Sequence, residues 1–583
     1  MKPWQRVLVL FACGLALGAV VWWPMILSPG APTGDGRAFL FMVDAAKAAF
    51  RTYGEVPLWN PFDCAGIPAW DHPESITASP VTLLLQPLSA TATLVAWQLW
   101  HIAFGFLGMW LLCRDDLKLS RTATLFAAVV FATGPWFAGQ TAGLHATMTS
   151  FEYVPLLFFL WRRAETSTEA AIGAGGLVAL MIFDGATYPL PFSVLALAVE
   201  TLTRMVDRKR IRPIVTRGLL AVVTAIGLSS VRLLPLLSRL GQGDRGIGDE
   251  DTVARLDTLW TMFTWRESNT VPLVPLQNFQ WHEYIAYLGI AGLALALVGM
   301  VFALREREYR WTALVGAVVF VLMLGHFSRL APWPLLREHV PPFNALRVGS
   351  RFRHVFVVFT CLWTALAIDR LPVVVKQIFK SARASGVAGI VIVALALFAA
   401  EDELVFASRV VGHHYEGEPP HPGVASPRFY YGGEGLAPDW LDQPSQNRAH
   451  TGCRASFAFR EKAAIWTEDV PQARAASETV VVESSSRTHN TFDFVAVSAG
   501  PGRVLLNSAY DRGWTSDAGE VANQSELLAV DVPAGRHAVH VRYRPRHIVV
   551  GLVLTLLTTL AVGLYFARKP LSSRLPRLRR SPT

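Results

Sequence analysis

The run VLVLFACGLALGAVVWWPMIL, residues 7–27, determines how the rest of the chain is threaded. It is long and apolar enough to cross a bilayer as a helix, and Lys2 and Arg6 precede it. Its start resembles a signal peptide, but Trp22-Trp23-Pro24 follows where a cleavage site would have small residues. The run therefore predicts a retained first membrane helix with a cytoplasmic N-terminus.

The composition of the whole chain is that of a membrane protein. Of its 583 residues, 52% are apolar and only 17% are charged, whereas a soluble globular domain has about 25% charged residues. The 19 Trp and 33 Phe residues suit lipid-facing surfaces and membrane interfaces. These values exclude a disordered chain, a coiled coil, a collagen and a small disulfide-rich secreted module. The predicted fold class is mainly α, a polytopic membrane protein with some soluble mass attached.

Apolar runs recur along the chain and predict about twelve membrane helices in all. After the first, they are residues 91–113, 123–137, 146–161, 170–183, 190–202, 218–237, 285–304, 311–324, 355–368, 387–400 and 548–566. Two short runs meet at residues 184–189. Merging these two runs would place the basic C-terminal segment outside, so the charge pattern favours two helices joined by an outer turn.

The net charge of +9 indicates orientation rather than nucleic-acid binding. With the N-terminus inside, every segment on the cytoplasmic side of this topology is basic, as the positive-inside rule requires. The clearest block, residues 568–580, follows the last run and suits an anionic lipid leaflet. We therefore predict a multi-pass membrane protein with both termini cytoplasmic and the bilayer, not nucleic acid, as a partner.

The same topology leaves four sizeable segments outside, at residues 28–90, 238–284, 325–354 and 401–546. In the last of these, apolar and polar residues alternate as in strands at 479–482, 492–497, 503–507, 527–532 and 537–543. The predicted organisation is a transmembrane domain (1–400) with a long first outer loop (28–90), an extracytoplasmic β-sandwich-like domain (401–546), and a last helix with a basic cytoplasmic tail (547–583).

Two of the five cysteines, Cys64 and Cys453, fall in outer segments and could form a disulfide in an oxidising compartment. The sequence leaves open whether they pair. No Cys/His spacing is typical of a zinc site. No cofactor is predicted with certainty, and a divalent metal is compatible with the sequence but not indicated by it.

Short motifs in a fixed order carry the functional information. The first outer loop contains Gly34-Asp35, then Gly54-Glu55-Val56-Pro57-Leu58-Trp59-Asn60-Pro61-Phe62 with Gly66-Ile67-Pro68, then Ser75 and Ser79-Pro80. Arg347-Val348-Gly349-Ser350-Arg351-Phe352 precedes a later span, and Gly513-Trp514 and Val532-Pro533-Ala534-Gly535-Arg536-His537 lie near the C-terminus. In this order the motifs resemble the YfhO-like bacterial membrane proteins of the GT-C superfamily of polyprenyl-phosphate-sugar-dependent glycosyltransferases. Gly349 stands where that family usually has Pro.

The resemblance implies a GT-C-like transmembrane domain (1–400) with a catalytic first outer loop (28–90), in the bacterial cytoplasmic membrane. It also implies an enzyme that transfers a sugar from a polyprenyl-phosphate donor to a glycan, lipid or protein acceptor outside the cytoplasm, with inversion, for cell-envelope glycan modification. The acceptor hydroxyl then needs a general base. The superfamily places an acidic residue in its first outer loop, and this role carries over to Asp35, although an Asp here could instead cap the following helix. Asp71 and Glu74 are further catalytic candidates, and His72 between them is a candidate substrate-binding residue.

Arginines on the outer side are the predicted ligands of the donor phosphate. Arg347, Arg351 and Arg353 lie just before a span, against the positive-inside trend. Arg can hold a phosphate with two parallel hydrogen bonds. The alternative is that the three arginines bind lipid headgroups without specificity.

The remaining predicted substrate-binding residues are aromatic, amide or acidic. Trp59 and Asn60 could contact a sugar ring. Glu152 and Glu283 lie close to predicted spans, where ionisable residues usually face a cavity.

Two other functions are alternatives to the enzyme. A transporter or flippase of a lipid-linked saccharide would be expected to show inverted repeats or paired broken helices, and the sequence has one such break, near Gly185. A non-catalytic envelope assembly protein would need only one span as an anchor.

Overall fold

A computed structural model of the chain describes residues 2–28, 30–142, 145–239, 252–266, 281–421, 423–435, 439–453 and 464–568. Helices occupy most of the chain up to His414, short strands lie between Tyr430 and Tyr543, and one more helix follows. We call residues 28–89 the first loop and residues 430–543 the β-domain.

The helices up to Arg239 include two that lie within the first loop, Gly36–Tyr53 and Pro80–Leu84. They are α1 (Pro3–Val21), α2 (Trp23–Leu27), α3 (Gly36–Tyr53), α4 (Pro80–Leu84), α5 (Ala90–Leu111), α6 (Arg121–Thr133), α7 (Pro135–Ala142), α8 (Val154–Ala164), α9 (Thr168–Phe183), α10 (Pro189–Met205) and α11 (Arg208–Arg239). The later helices are α12 (Leu256–Thr264), α13 (Gly289–Arg305), α14 (Arg310–Met323), α15 (Pro332–His339), α16 (Arg353–Phe379), α17 (Ala382–His414), α18 (Gln443–Gln446) and α19 (Arg546–Ala567).

Serine side chains begin several of these helices. The hydroxyl oxygens of Ser89, Ser120, Ser167 and Ser381 accept hydrogen bonds from backbone N–H groups three residues further on, at 3.2, 3.3, 3.1 and 3.2 Å. Each serine satisfies an N–H group that has no partner inside the helix. Local sequence thus fixes where α5, α6, α9 and α17 begin.

Seven helical stretches within the described residues are long and apolar enough to cross a membrane. They are Pro3–Val21, Ala90–Asp116, Arg121–Gln140, Arg208–Ser238, Gly349–Phe379, Ala382–His414 and Arg546–Ala567. Three shorter apolar helices, α9, α13 and α14, accompany them. The chain is thus a multi-pass membrane protein, but the predicted count of about twelve spans is not confirmed.

Two of the predicted spans fold in ways that explain part of this difference. Residues 146–161 form a 3₁₀ segment, Ala146–Tyr153, followed by the 11-residue α8, which at about 1.5 Å per residue is far shorter than a bilayer core. Residues 190–202 lie in α10, where buried Glu200 pairs with Arg204 at 2.8 Å and makes the helix less apolar. The break at residues 184–188 is present, because α9 ends before it and α10 begins after it.

The β-domain contains two four-stranded antiparallel sheets that share one apolar core. The strands of the chain are β1 (Trp59–Asn60), β2 (Ile67–Pro68), β3 (Tyr430–Gly433), β4 (Arg448–His450), β5 (Ala473–Ala475), β6 (Val480–Arg487), β7 (Thr491–Ser498), β8 (Gly502–Ala509), β9 (Trp514–Ser516), β10 (Val521–Gln524), β11 (Leu527–Val532) and β12 (Gly535–Tyr543). The first sheet has the order β10-β11-β8-β5 and the second the order β6-β7-β12-β9. Val504 and Val530 of the first sheet meet Phe494 and Val541 of the second in the shared core.

The Glu55–Phe62 motif of the first loop docks onto the turn between β6 and β7. The Asn490 side-chain oxygen accepts hydrogen bonds from the backbone N–H groups of Leu58 and Trp59, at 3.2 and 3.0 Å. The Asn490 side-chain N–H donates to the carbonyl of Val56 at 2.7 Å. Glu55 accepts from the hydroxyl of Thr488 at 2.6 Å. Backbone and side-chain bonds therefore hold the motif against the β-domain.

Trp59 anchors this docking in the β-domain core. Its ring lies 5.3 Å from that of Trp514 and 4.8 Å from that of Tyr543, and its side chain is 1% exposed. Gly66 has a φ of +117°, and a Cβ there would lie 2.6 Å from the Trp59 ring. Only glycine therefore fits at this position.

A disulfide joins the same two parts of the chain, because Cys64 of the first loop is bonded to Cys453. Two hydrogen bonds reinforce this connection. The backbone N–H of Ala509 and the hydroxyl of Tyr431 both donate to the carbonyl of Ala65, at 2.9 and 3.0 Å. The pairing that the sequence left open is thus present, and it ties the first loop to the β-domain.

A buried arginine holds residues 70–75 of the first loop against the membrane helices. Arg232 of α11 donates to the backbone carbonyls of His72 at 2.7 Å, of Ser75 at 2.9 Å and of Trp70. Gly185, in the turn after α9, has a φ of +66°, and a Cβ there would lie 2.9 Å from the carbonyl oxygen of Pro73. The first loop is therefore fixed between the β-domain and the helices.

We predict that the contact between the first loop and the β-domain weakens in acid. His489 is 1% exposed and its ring lies 5.0 Å from those of Tyr53 and Phe62. Burial, assisted by the charge of Arg487, lowers its pKa from 6.5 to about 3. Between these two values the unfolded chain binds a proton that the folded one does not, so stability falls as pH falls below 6.5.

Thermal unfolding of the detergent-purified chain, measured between pH 7 and pH 4, tests this. The unfolding temperature of His489→Phe should depend less steeply on pH than that of the wild type. His421→Gln, whose side chain is 70% exposed, is the control and should follow the wild type. Equal pH dependence in all three proteins would contradict the assignment.

Candidate active site

A cavity of about 170 Å³ lies between the first loop and the ends of the membrane helices on the β-domain side. One wall is apolar and comes from Phe39, Met42 and Ala45 of α3. The structure brings several of the predicted site residues to the other walls, namely Asp35, Trp59, Asn60, His72, Glu74, Arg347 and Arg351. His145 and Tyr188, which were not predicted as site residues, line it as well.

Asp35 is a largely exposed carboxylate of this cavity. It stands immediately before α3, but its side chain makes no capping hydrogen bond to that helix. Its side chain is 68% exposed, and its Oδ2 lies 3.2 Å from Nε2 of His145. Asp35 is therefore oriented by a histidine and not by the helix that it precedes.

His145 connects Asp35 to a more buried acidic group. Its Nε2 also lies 3.9 Å from Oε1 of Glu283. Burial and the nearby charge of Arg351 lower the pKa of His145 to about 4, although Glu283 and Asp35 act in the opposite direction. The imidazole is consequently neutral near pH 7, and its Nε2 faces the carboxylates of both Asp35 and Glu283.

Glu283 and Arg351 form a buried ion pair behind His145. The Arg351 side chain donates two hydrogen bonds to Glu283, from Nε to Oε2 at 2.8 Å and from Nη2 to Oε1. Burial favours the neutral form of Glu283, but the Arg351 guanidinium outweighs it and holds the pKa of Glu283 well below its usual range. The Tyr188 ring covers Arg351, with 4.3 Å between the guanidinium carbon and the ring centroid. Arg351 is thus a fixed cation of the cavity wall.

Arg347 contributes a second cation. It lies six residues before the start of α16 in an exposed position at the cavity, and its backbone N–H donates to the hydroxyl of Tyr188 at 3.1 Å. Tyr188 therefore contacts both arginines of the cavity, one through its ring and one through its oxygen.

Arg353 does not lie at the cavity, where a phosphate ligand was predicted. It is fully buried and is not among the cavity-lining residues. Its Nε donates to the carbonyl of Ile285 at 2.9 Å, and its Nη2 donates to the carbonyl of His282 at 2.8 Å and to the side-chain oxygen of Gln140. The backbone N–H of His145 in turn donates to the carbonyl of Gln140. Arg353 thereby joins the segment that carries Glu283 to the segment that carries His145.

The first-loop residues of the cavity are held by local bonds. The backbone N–H of Glu74 donates to Nδ1 of His72 at 3.2 Å, and the side-chain oxygen of Asn60 accepts from the backbone N–H of Phe62 at 3.0 Å. Trp59 borders the cavity, but most of its ring is inside the β-domain core. Its position suits anchoring of the loop better than stacking on a sugar.

Two predicted residues lie away from the cavity. Asp71 is buried, with its Oδ2 3.7 Å from Nε2 of His547 at the start of α19. Glu152 is 2% exposed and packs against α5, where a Cβ on Gly105 would fall 1.7 Å from its Oε2. Glu283, like Arg353, does not line the cavity either. It contacts two residues that do, His145 and Arg351.

One cluster near the cavity has the composition of a metal site. His145, His282 and Glu283 each offer one ligand atom, and the three atoms lie within 4.8 Å of one another. The residues come from two parts of the chain, so no short sequence spacing could have indicated them. A second cluster, Asp63 with Cys64 and Cys453, has its two sulfur atoms in the disulfide.

Sequence comparisons leave the family of this chain open. No protein-family model and no curated protein matches it. Membership of the YfhO-like family therefore stays a prediction.

Among solved structures, the chain is similar to the arabinofuranosyltransferase AftD from Mycobacteria, with 18% identity and a TM-score of 0.41 over 70% of this chain and 27% of that chain. It is also similar to the archaeal oligosaccharyltransferase AglB from Archaeoglobus fulgidus, in complex with an inhibitory peptide and a dolichol-phosphate. There the identity is 12% and the TM-score 0.46, over 77% of this chain and 64% of that chain. The chain thus spans less than two thirds of either protein, and these scores establish neither its fold nor its activity.

We predict that Glu283→Gln lowers the unfolding temperature of the purified chain by several degrees. The substitution leaves the buried Arg351 guanidinium facing a neutral amide, and breaking a buried ion pair costs about 3–5 kcal/mol. Asp35→Asn is the control, because its carboxylate is 68% exposed and exposed pairs contribute little.

The double variant Glu283→Leu, Arg351→Met should recover much of the loss, since it removes both charges together. An unfolding temperature of Glu283→Gln equal to that of Asp35→Asn would contradict the role given to the pair.

Proposed function

We propose that this protein is an integral membrane glycosyltransferase of GT-C type. It transfers a sugar from a polyprenyl-phosphate donor to an acceptor hydroxyl on the extracytoplasmic face, with inversion, in the modification of a cell-envelope glycan. The observation that carries the proposal is a single cavity at the ends of the membrane helices that contains both an accessible carboxylate, Asp35, and two arginine side chains, Arg347 and Arg351. The acceptor is a glycan, a lipid or a protein.

Asp35 is the general base of the proposed reaction. Its carboxylate is accessible from the cavity, and His145 at 3.2 Å orients it. The acceptor hydroxyl gives its proton to Asp35 while its oxygen attacks the anomeric carbon. The bond from that carbon to the phosphate oxygen breaks, and its electron pair leaves with the polyprenyl phosphate. Attack and departure on opposite faces of the sugar invert its configuration.

Arg347 and Arg351 stabilise the departing phosphate. The phosphate gains negative charge in the transition state, and fixed cations that need no rearrangement stabilise such charge most effectively. Arg351 is held in place by Glu283 and by the Tyr188 ring. Glu74, which also lines the cavity, is the second candidate for the base.

The proposed orientation rests on the distribution of basic residues. The segment after α19 is rich in Arg and Lys and belongs in the cytoplasm under the positive-inside rule. The β-domain and the cavity then lie outside, in the compartment where the Cys64–Cys453 disulfide would persist.

Incubation of the purified chain with a polyprenyl-phosphate sugar and candidate acceptors tests the proposal. Asp35→Asn should lower the transfer rate by about 10²–10⁴-fold, the usual contribution of general acid–base catalysis, while the unfolding temperature stays unchanged. Glu483→Gln, a substitution on strand β6 of the β-domain, should transfer at the wild-type rate.

Undiminished transfer by Asp35→Asn together with loss in Glu74→Gln would move the base to Glu74. A wild-type protein that transfers no sugar but moves labelled donor lipid across vesicle bilayers would be a flippase, and the enzyme proposal would fail.

A further inference from the structure

Nitrogen and oxygen atoms with the right chemistry for a metal ion converge next to Asp35. Nε2 of His145 lies 3.9 Å from Oε1 of Glu283, and Nε2 of His282 lies 3.7 Å from the same oxygen. A tetrahedral ion with bonds of about 2.0–2.2 Å sets its ligands roughly 3.3–3.6 Å apart. Both histidine–carboxylate distances are thus only a few tenths of an ångström longer than this spacing, and all three ligand atoms lie within 4.8 Å of one another.

The backbone and side chains that carry these ligands are held in place. Arg353 bonds to the carbonyls of His282 and Ile285, on either side of Glu283. The Ser350 hydroxyl donates to the carbonyl of Glu283 at 3.2 Å. Arg351 orients the Glu283 carboxylate, and groups that orient metal ligands in this way raise metal affinity. The site is thus preformed and needs no large rearrangement.

The charges around the cluster are compatible with a divalent cation. Glu283 accepts two hydrogen bonds from the Arg351 guanidinium, and Asp35 adds a second carboxylate 3.2 Å from His145. The charge of Arg351 opposes a cation, whereas Asp35 and the Glu74 carboxylate at the same cavity favour it. Two imidazoles and one carboxylate match Zn²⁺ better than Mg²⁺ or Ca²⁺, which prefer oxygen ligands.

We infer that His145, His282 and Glu283 bind a divalent transition-metal ion, with Zn²⁺ the best match, and leave a fourth coordination position open toward the cavity beside Asp35. Three protein ligands and one open position are typical of catalytic rather than structural zinc sites. On the proposed function, that position receives an oxygen of the donor phosphate, so this part of the inference rests on glycosyl transfer. Binding of the ion itself does not.

Metal content and metal-dependent stability test the site without any activity assay. The full chain is purified in detergent, stripped with a chelator, exposed to ZnCl₂ and dialysed, and its zinc is then measured by mass spectrometry and its affinity by calorimetry. The wild type should retain about one Zn²⁺ per chain, and its unfolding temperature should rise with ZnCl₂. His282→Gln should bind Zn²⁺ about 10–100-fold more weakly, at least the loss seen when groups that support a ligand are removed.

His339→Gln is the matched control, because that histidine is 61% exposed and belongs to α15. It should bind Zn²⁺ as the wild type does. The unfolding temperature of metal-free His282→Gln shows whether the variant is folded, and a second ligand variant, His145→Gln, replaces it if it is not. Equal Zn²⁺ affinity in the wild type and in a folded ligand variant would overturn the inference, as would the absence of Zn²⁺ binding by the wild type.

The two proposals fail in distinguishable ways. If the wild type transfers sugar equally well with and without Zn²⁺ bound, the phosphate role of the metal is overturned and the proposed function stands. If it binds one Zn²⁺ through His282 but transfers no sugar, the metal site stands and the proposed function is overturned.

Discussion

A guanidinium group that is buried from water must find acceptors inside the protein, and this requirement organises the loops around the cavity. Three buried arginines at the cavity ends of the membrane helices each bond to at least one loop residue. Arg351 pairs with Glu283, Arg353 bonds to the carbonyls of His282 and Ile285, and Arg232 bonds to three carbonyls of the first loop. The helices thereby determine where the loop side chains lie.

This arrangement separates the first-loop motif residues into two groups. Glu55 and Trp59 face the β-domain and fix the loop to it, and the Cys64–Cys453 disulfide reinforces the same contact. Asp35 and Glu74 face the cavity on the other side of the loop. The cavity and the β-domain are therefore structurally coupled, because a change in the docking of the β-domain would displace the cavity wall.

The sequence predicted those parts of the fold that depend on local patterns. Alternation of apolar and polar residues located β7, β8, β11 and β12 close to their positions in the structure, and long apolar runs located the seven strongest spans. The count of about twelve was not confirmed, because runs such as residues 146–161 become a 3₁₀ segment and a short helix once they pack inside the protein. Burial among other helices and burial in lipid give the same apolar composition.

The candidate site was predictable only in part, for a related reason. The motifs and the charge rule indicated Asp35, Arg347 and Arg351, since each stands out within its own segment. The partner of Asp35 is His145, far away in sequence, and no local signal connects the two. Arg353 has the same local signal as Arg351, but it does not line the cavity, and its guanidinium bonds to Gln140 and to the carbonyls of His282 and Ile285.

The central claim is that this cavity binds the phosphate of a polyprenyl-phosphate donor between a carboxylate and two arginines. The most direct measurement is a cryo-electron microscopy structure of the full chain with polyprenyl phosphate. The account predicts phosphate density within hydrogen-bonding distance of Arg347 or Arg351, next to Asp35. Well-resolved phosphate density elsewhere on the protein, with the cavity holding none, would contradict it.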